Sequence, residues 1–282
     1  MTTTPLPPRP GEPTDPELRD RYRTDASRER EARRAETVRL AAEPRPSRTP
    51  VGPIRVLALL VAVVLVVVAG LSLVGPMLKQ SATSDQRITA AGSLEINAQV
   101  GDVRVRAAEP GESPHVTTTR TWGLWEPSTS VRTSGDTTRL ASSCTGPAIG
   151  TVCEVDWLVV VPTDTEVDIE QGVGAVSVEG MTRDVDVEVG VGDVTVAEAE
   201  GEHLSVDIGV GALDYEAVEP PRTVEASVGV GELVVRVPDT VGYRVATSSG
   251  STEVANSIGS DPSASRRITL DNGVGAIRVD PS

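Results

Sequence analysis

The sequence predicts an all-β protein: a right- or left-handed β-solenoid of about 20 residues per coil, preceded by one transmembrane helix and a disordered N-terminal tail. Three observations support this prediction: a strand pattern repeated at steps near 19 residues, an uncharged apolar stretch before it, and a Pro- and Arg-rich tail. They divide the chain into a tail, a span, a linker and an outer domain, at residues 1–53, 54–78, 79–87 and 88–282.

The tail, residues 1–53, is rich in Pro and Arg. Its Pro-rich ends cannot pack a core, and we expect them to be disordered. The mixed-charge middle favours a short solvated helix, because Ala, Arg and Glu are good helix formers and Glu29 and Arg33 form an i,i+4 pair. This middle segment has no apolar stripe, so we expect either a marginal helix or a segment that orders on a partner.

The apolar stretch between Arg55 and Lys79 predicts a membrane-spanning helix. It contains 23 residues and no charge, and about 20 apolar residues cross the hydrocarbon core of a bilayer. A buried core helix fits less well, because this stretch has no side to turn toward water. A cleaved secretory signal also fits less well, because its shorter apolar region would lie near the N-terminus.

Charge predicts the orientation, because Lys and Arg are retained on the cytoplasmic side of a span. The four nearest arginines before the stretch are Arg39, Arg45, Arg48 and Arg55, whereas the basic residues that follow it closely are Lys79 and Arg87. The predicted location is the cell membrane, with a cytoplasmic N-terminus and an extracytoplasmic C-terminal domain. Residues 80–282 contain 13 basic and 32 acidic side chains, a net charge of −19. Such a domain repels nucleic acid, which excludes that class of partner.

Seven similar units make up most of the acidic domain, at residues 94–105, 167–178, 185–196, 204–215, 224–235, 243–254 and 268–279. In the third unit, Val185, Val187, Val189 and Val191 alternate with other residues, which is typical of a strand with one buried face. The apolar pattern resumes three residues later at Val194, so we expect a bend at the intervening glycine. The predicted bend glycines are Gly101, Gly174, Gly192, Gly211, Gly231, Gly250 and Gly275.

A unit with two short strands cannot bury its apolar side alone and becomes stable only when neighbours stack. This predicts regular β-solenoid coils for residues 163–282, with an up-and-down β-sandwich as the alternative. Residues 88–162 do not follow the step and are predicted to form an irregular N-terminal part. They contain Trp122, Trp125 and Trp157, for which we expect packing in the core or a cap rather than a surface cluster.

Cys144 and Cys153 flank a segment with Gly146, Pro147 and Gly150, residues that permit a turn. Outside a membrane, such a pair predicts a disulfide that closes a hairpin. Two cysteines without supporting histidines do not suggest a zinc site.

The units end in GxG followed by an acidic or small residue, and they come after LVVVPTDTEVDIE. In this they resemble the bacterial putative-adhesin domain, in which a strand ending in Pro leads into tandem repeats with a Gly-Asp-Val bend. Gly101-Asp102-Val103 and Gly192-Asp193-Val194 match best, whereas the other bends lack the Asp. The resemblance covers residues 88–282 and implies an extracytoplasmic β-solenoid without an established activity.

No set of catalytic residues stands out in the sequence. His115 and His203 are isolated, and the carboxylates Asp184, Asp186 and Glu188 alternate with Val, which places them on the outer face of a strand. There is no GxGxxG or P-loop pattern for a nucleotide. Only two units keep Asp after Gly, and the step is not the nine-residue step of a calcium β-roll. We therefore predict no enzyme activity, no metal and no cofactor.

Three functions remain open from the sequence. The leading one is a non-enzymatic interaction module that binds an envelope protein or polymer, such as a polysaccharide. The second is an envelope-stress sensor that couples the outer domain to a cytoplasmic partner through the tail. The third is a polysaccharide-processing enzyme, which would need carboxylates gathered in a cleft. The oligomeric state is not predicted.

The cysteine pair allows a direct test. Mass mapping of the exported protein under non-reducing conditions is expected to find a bridged peptide that contains Cys144 and Cys153. Two free thiols would contradict both the bridge and the extracytoplasmic location.

Overall fold

The computed structural model describes residues 29–30, 32–37, 59, 61–66, 79–89, 92–144 and 152–282. The chain divides into two compact units, Met1–Val64 and Leu65–Ser282. In the first unit, residues 29–30 and 32–37 are helical and exposed. These residues belong to the mixed-charge middle of the tail.

The predicted membrane span, residues 54–78, lies mostly outside the described residues. Its described part, Leu59 and residues 61–66, is helical and exposed. Within the parts of the chain that the structure describes, no helix is both long enough and apolar enough to cross a membrane. The transmembrane helix therefore stays a prediction.

From Lys79 onward, the described residues of the second unit are all-β, as predicted. Its strands are β1 (Gln80–Arg87), β2 (Ser93–Val100), β3 (Val103–Ala107), β4 (His115–Trp122), β5 (Ser128–Ser134), β6 (Thr137–Ser143), β7 (Cys153–Val161), β8 (Glu166–Val173), β9 (Val176–Glu179), β10 (Val185–Val191), β11 (Val194–Ala199), β12 (His203–Ala217), β13 (Thr223–Val237), β14 (Tyr243–Asn256) and β15 (Arg266–Pro281). All of them belong to one sheet that curls into a half-barrel.

The repeated units lie side by side in this sheet, parallel and in register. Val185 of β10 pairs with Val167 of β8 on one side and with Leu204 of β12 on the other. Beyond the bend, Val194 of β11 pairs with Val176 of β9 and with Leu213 of β12. Equivalent positions of successive units are thus neighbours, about 4.8 Å apart.

The predicted β-solenoid is wrong, although the all-β class is confirmed. Four long strands, β12 to β15, run through the bend without a break. The two halves of a unit therefore remain in the same sheet, instead of forming separate faces around a coil. The result is a curled half-barrel.

The core lies on the inner side of the curled sheet. Val185, Val187 and Val189 are buried before the bend, and Val194 and Val196 are buried after it. The predicted alternation therefore holds on both sides of the bend.

The alternation does not hold at the valine that precedes the bend glycine. Val191 was predicted on the buried face, but it is 48% exposed. The change of side takes place over Gly190 to Asp193, which leaves Val191 at the outer apex. The buried positions lie on either side of this bend, at Val189 and Val194. The side chain in the middle of the bend therefore lies on the outer side of the sheet.

The bend glycines are required by the close approach of neighbouring units. Gly211 has a φ of +151°, and a Cβ at this position would lie 1.8 Å from the carbonyl oxygen of Gly192. Six of the seven predicted glycines have such a positive φ, namely Gly101, Gly174, Gly192, Gly211, Gly231 and Gly275.

Gly250 is the exception, and its prediction as a bend glycine is wrong. A Cβ on Gly250 would approach the carbonyl oxygen of Gly273, which belongs to the row of glycines two residues before the bend glycines. The bend position of this unit is Thr252, which pairs with Gly275. A single glycine in the sequence TSSGST does not show which of the two rows it belongs to.

The last two units exchange places in the sheet. β13 pairs with β15, and β15 in turn pairs with β14, so that β14 lies at the edge. Thr247 and Ser249 of β14 are exposed, whereas their partners on β15, Leu270 and Asn272, are buried. A strand whose inner side chains are polar would bury little apolar surface in the centre of the sheet. This favours a position at the edge of the sheet.

The irregular N-terminal part, residues 88–162, contains a further unit that the sequence did not show. β6 pairs in parallel with β2, and β7 pairs in parallel with β3. The segment between β6 and β7 contains no GxG. Cys144 and Cys153, at its two ends, form the predicted disulfide with a Cα–Cα distance of 6.0 Å, and this disulfide closes the unit. Antiparallel strands β1, β4 and β5 complete this end.

The close packing at the bend predicts a large cost for a single methyl group. We expect Gly211→Ala to lower the free energy of unfolding by more than about 3 kcal/mol, because strained backbone and a steric clash add together. Gly111→Ala is the matched control, since Gly111 has a φ of +89° with no atom within 4 Å of an added Cβ. It should cost about 1 kcal/mol. Denaturant titration followed by circular dichroism measures both, and equal costs would contradict the packing argument.

Candidate interaction surface

The exposed valines at the bends form a continuous row, which we call the valine ridge. Its members occupy paired positions on neighbouring strands and are Val100, Val173, Val191, Val210, Val230 and Val274. The last five are each about half exposed, from 48% to 52%. Six positions at the strand spacing give a ridge about 24 Å long. Apolar side chains exposed at such regular spacing are unusual for a surface that only faces water.

Glycines leave the backbone bare on both sides of the ridge. The row of bend glycines lies on one side, and the row that includes Gly172, Gly190 and Gly209 lies on the other. Next to Gly172 and Gly190 is a shallow groove of ≈ 600 Å³ whose walls include Glu170 and Glu188. A partner that lies on the ridge would therefore contact valine methyl groups, exposed peptide groups and carboxylates together.

Carboxylates cover the outer side of the strands that precede the bends, and we call this surface the carboxylate face. It comprises Asp168, Glu170, Asp186, Glu188, Asp207 and Glu225, all of them exposed. Asp168 pairs with Asp186, and Glu170 pairs with Glu188. Like charges at paired positions of adjacent strands repel one another, so this face attracts cations and basic groups.

An ion pair balances the charge at the β2 end of the face. The guanidinium of Arg139 donates hydrogen bonds of 2.6 and 3.0 Å to Glu95 and lowers the pKa of that carboxyl. Further along the same row, partial desolvation raises the pKa of Asp168, and the charge of Asp186 raises it further. Glu170, Glu95 and Glu166 add smaller contributions in the same direction. Asp168 therefore lies in a locally uncompensated part of the face.

A second groove crosses the beginnings of β8, β10, β12 and β13. It has a volume of ≈ 370 Å³ and includes Asp168, Asp184, Asp186 and His203. Asp184 accepts a hydrogen bond from the backbone N–H of His203 at 3.2 Å. Among the described residues, no group of His, Cys, Asp and Glu has the arrangement of a metal site. The geometry offers a wide anionic surface for binding.

The Asp residues of the Gly-Asp-Val bends have a structural role. Asp102 accepts a hydrogen bond from the backbone N–H of Ala175 at 3.1 Å, and Asp193 accepts one from Ala212 at 2.9 Å. Each carboxylate thus connects its own unit to the next, and the next unit carries Ala at the same position. This explains why only some units keep Asp after Gly, which the sequence alone did not explain.

The other residues considered in the sequence lie apart. His115 begins β4, where its Nδ1 is 3.0 Å from the carbonyl oxygen of Ser113, and His203 begins β12. Trp157 is buried in the core, Trp122 is partly exposed, and Trp125 is 43% exposed. The expected core or cap packing therefore holds for Trp157 and is wrong for Trp125. The valine ridge was missed because the alternation pattern assigned its members to the core.

No protein-family model and no curated protein matches this chain. Several solved structures are similar to this chain, among them the following three. The first is a putative cell adhesion protein from Clostridium sporogenes ATCC 15579, with 16% identity and a TM-score of 0.47, covering 72% of this chain and 100% of that one. The second is a putative adhesin from Bacteroides fragilis NCTC 9343, with 16% identity and a TM-score of 0.40, covering 71% and 97%. The third is a putative lipid binding protein from Parabacteroides distasonis ATCC 8503, with 12% identity and a TM-score of 0.35, covering 71% and 96%. At these values the likenesses carry no argument about function, and the resemblance to the putative-adhesin domain stays a prediction.

The repulsion in the carboxylate face predicts a pH-dependent gain from one substitution. Because the pKa of Asp168 is raised in the folded state, its ionisation destabilises the fold as the pH rises through that pKa. Asp168→Asn should therefore raise the free energy of unfolding at neutral pH, and the gain should disappear in acid, where the carboxyl is protonated in both states. Denaturant titrations over a pH series measure this. Asp239→Asn, in the turn after β13, is the control, and an equal gain there would contradict the prediction.

Proposed function

We propose that this chain is a membrane-anchored, extracytoplasmic interaction module without enzymatic activity, which binds an envelope polymer or protein along the valine ridge. The apolar stretch before Lys79 supplies the anchor, and the basic tail stays in the cytoplasm. The curled sheet acts as a rigid support that presents one elongated surface.

The valine ridge is the observation that supports this proposal. Its exposed valines contribute little to the core, since half of each side chain remains in water. Valine is not obligatory at this position, since the residue of β14 that pairs with Val274 is Ser251. Covering one valine with a partner would contribute about 1 to 2 kcal/mol of binding free energy, so several valines in a row can give a stable contact.

The negative charge of the domain narrows the class of partner that could bind to it. The carboxylate face runs beside the ridge, and the domain as a whole is strongly acidic. A partner with apolar groups flanked by basic groups would match both surfaces, and its association would be faster at low salt. An acidic polymer would be repelled.

The envelope-stress sensor remains the alternative. It depends on the tail, most of which lies outside the described residues, and therefore rests on the sequence alone.

The ridge proposal predicts that retention of envelope material depends on exposed methyl groups at the bends. We expect the triple variant Val191→Thr, Val210→Thr and Val230→Thr, made in the full-length chain, to weaken retention from envelope extracts by at least about tenfold. Threonine keeps the β-branched shape, so the melting temperature should change little. Immobilised protein and quantitative elution measure the effect.

The matched control is Val218→Thr with Val241→Thr. Both valines are exposed, at 53% and 37%, and neither belongs to the ridge. The control should retain envelope material like the unmodified chain. Equal retention by the ridge variant and the control would exclude the ridge as the binding surface, and no retention by any form would refute the interaction module itself.

A further inference from the structure

The loop between β4 and β5 carries an exposed apolar tip. Leu124 is 55% exposed and Trp125 is 43% exposed. Among the described residues of the sheet, they are the exposed apolar side chains larger than valine. The tip does not belong to the valine ridge, because the ridge runs along the bends of the parallel units, whereas β4 is antiparallel to its neighbours.

The tip lies where the chain enters the sheet. β1 starts at Gln80, which pairs with Trp122 at the end of β4. The two strands are antiparallel, so Lys79 and the loop after Trp122 lie at the same end of this strand pair. Trp125 follows Trp122 by three residues, a reach of about 10 Å at most. Lys79 directly follows the uncharged apolar stretch.

The charges at the tip are balanced, unlike those of the carboxylate face. Arg120 forms an ion pair of 2.7 Å with Glu126, and its guanidinium lies 5.9 Å from the centroid of the Trp122 ring. Lys79 adds a positive charge beside them. Anionic lipid headgroups repel the carboxylate face but do not repel this tip.

We propose that the loop carrying Leu124 and Trp125 docks on the surface of the bilayer that anchors the chain. Trp is the residue most typical of the membrane interface, where its ring lies among the headgroups. Leu124 reaches the upper part of the acyl region beside it. This second contact, together with the anchor, fixes the orientation of the sheet, so that the carboxylate face points away from the anionic surface. The inference rests on the anchor of the proposed function.

Quenching of Trp fluorescence by brominated lipid tests the contact. The full-length chain is reconstituted into phosphatidylcholine and phosphatidylglycerol vesicles, with and without lipid brominated near the top of the acyl chains. We expect bromine-dependent loss of fluorescence in the unmodified chain and in Trp122→Phe. Trp125→Phe should lose most of this quenching, because Trp157 is buried in the core. Phe keeps the site apolar, so folding is preserved.

A wash in alkaline carbonate, followed by flotation of the vesicles, tests the anchor separately. Chain that stays with the vesicles and shows Trp125-dependent quenching supports both proposals. Chain that stays but is quenched equally with and without Trp125, or is not quenched, overturns the docking and leaves the anchor intact. Chain that washes off refutes the anchor and the docking with it.

Discussion

The close stacking of glycine backbones at the bends is the constraint on which the rest of the structure depends. At Gly211, an added Cβ would lie 1.8 Å from the carbonyl oxygen of Gly192, and the same contact recurs from unit to unit. Because the backbones touch, each unit must pair with the next in exact register. That register aligns the buried valines on the inner side, and it also aligns the valines at the apex and the carboxylates outside. The core and the proposed binding surface are thus two consequences of one packing rule.

The in-register pairing of the units has an electrostatic cost, because it brings like charges together. Identical carboxylates come to lie on adjacent strands, and the raised pKa of Asp168 reflects partial desolvation together with this crowding. The fold offsets part of the cost at specific places. Arg139 neutralises Glu95 at one end of the row, and Asp102 and Asp193 satisfy backbone N–H groups instead of adding to the face. The charge that remains unbalanced is concentrated on one surface beside the valine ridge, whereas the tip at Trp125 carries a balanced set. This separation of charge is what would allow one small domain to meet the proposed basic partner and the proposed lipid surface at different places.

Much of the local structure could be predicted from residues alone. Alternation of Val with polar residues located the strands, the positive φ at six of the seven predicted bend glycines matches the glycine spacing, and the turn residues between Cys144 and Cys153 indicated the disulfide. The candidate interaction surface was harder to predict from the residue pattern. Val191 continues the alternation of Val185, Val187 and Val189, and nothing in the sequence marks it as exposed. Its position is decided by the path of the backbone through the bend, which alternation does not encode.

The sequence by itself determined most strands of the repeated units and six of their bend glycines, because these properties depend on residues close together in the chain. Only the tertiary structure decided which strand lies beside which. It placed β15 between β13 and β14, aligned Thr252 rather than Gly250 with the bend of the neighbouring unit, added the disulfide-closed unit of β6 and β7, and curled the whole into a half-barrel. The reason is that similar parallel strands pair with one another almost equally well. Their order is therefore set by small differences summed over the sheet, such as the polar inner side of β14, rather than by any local motif.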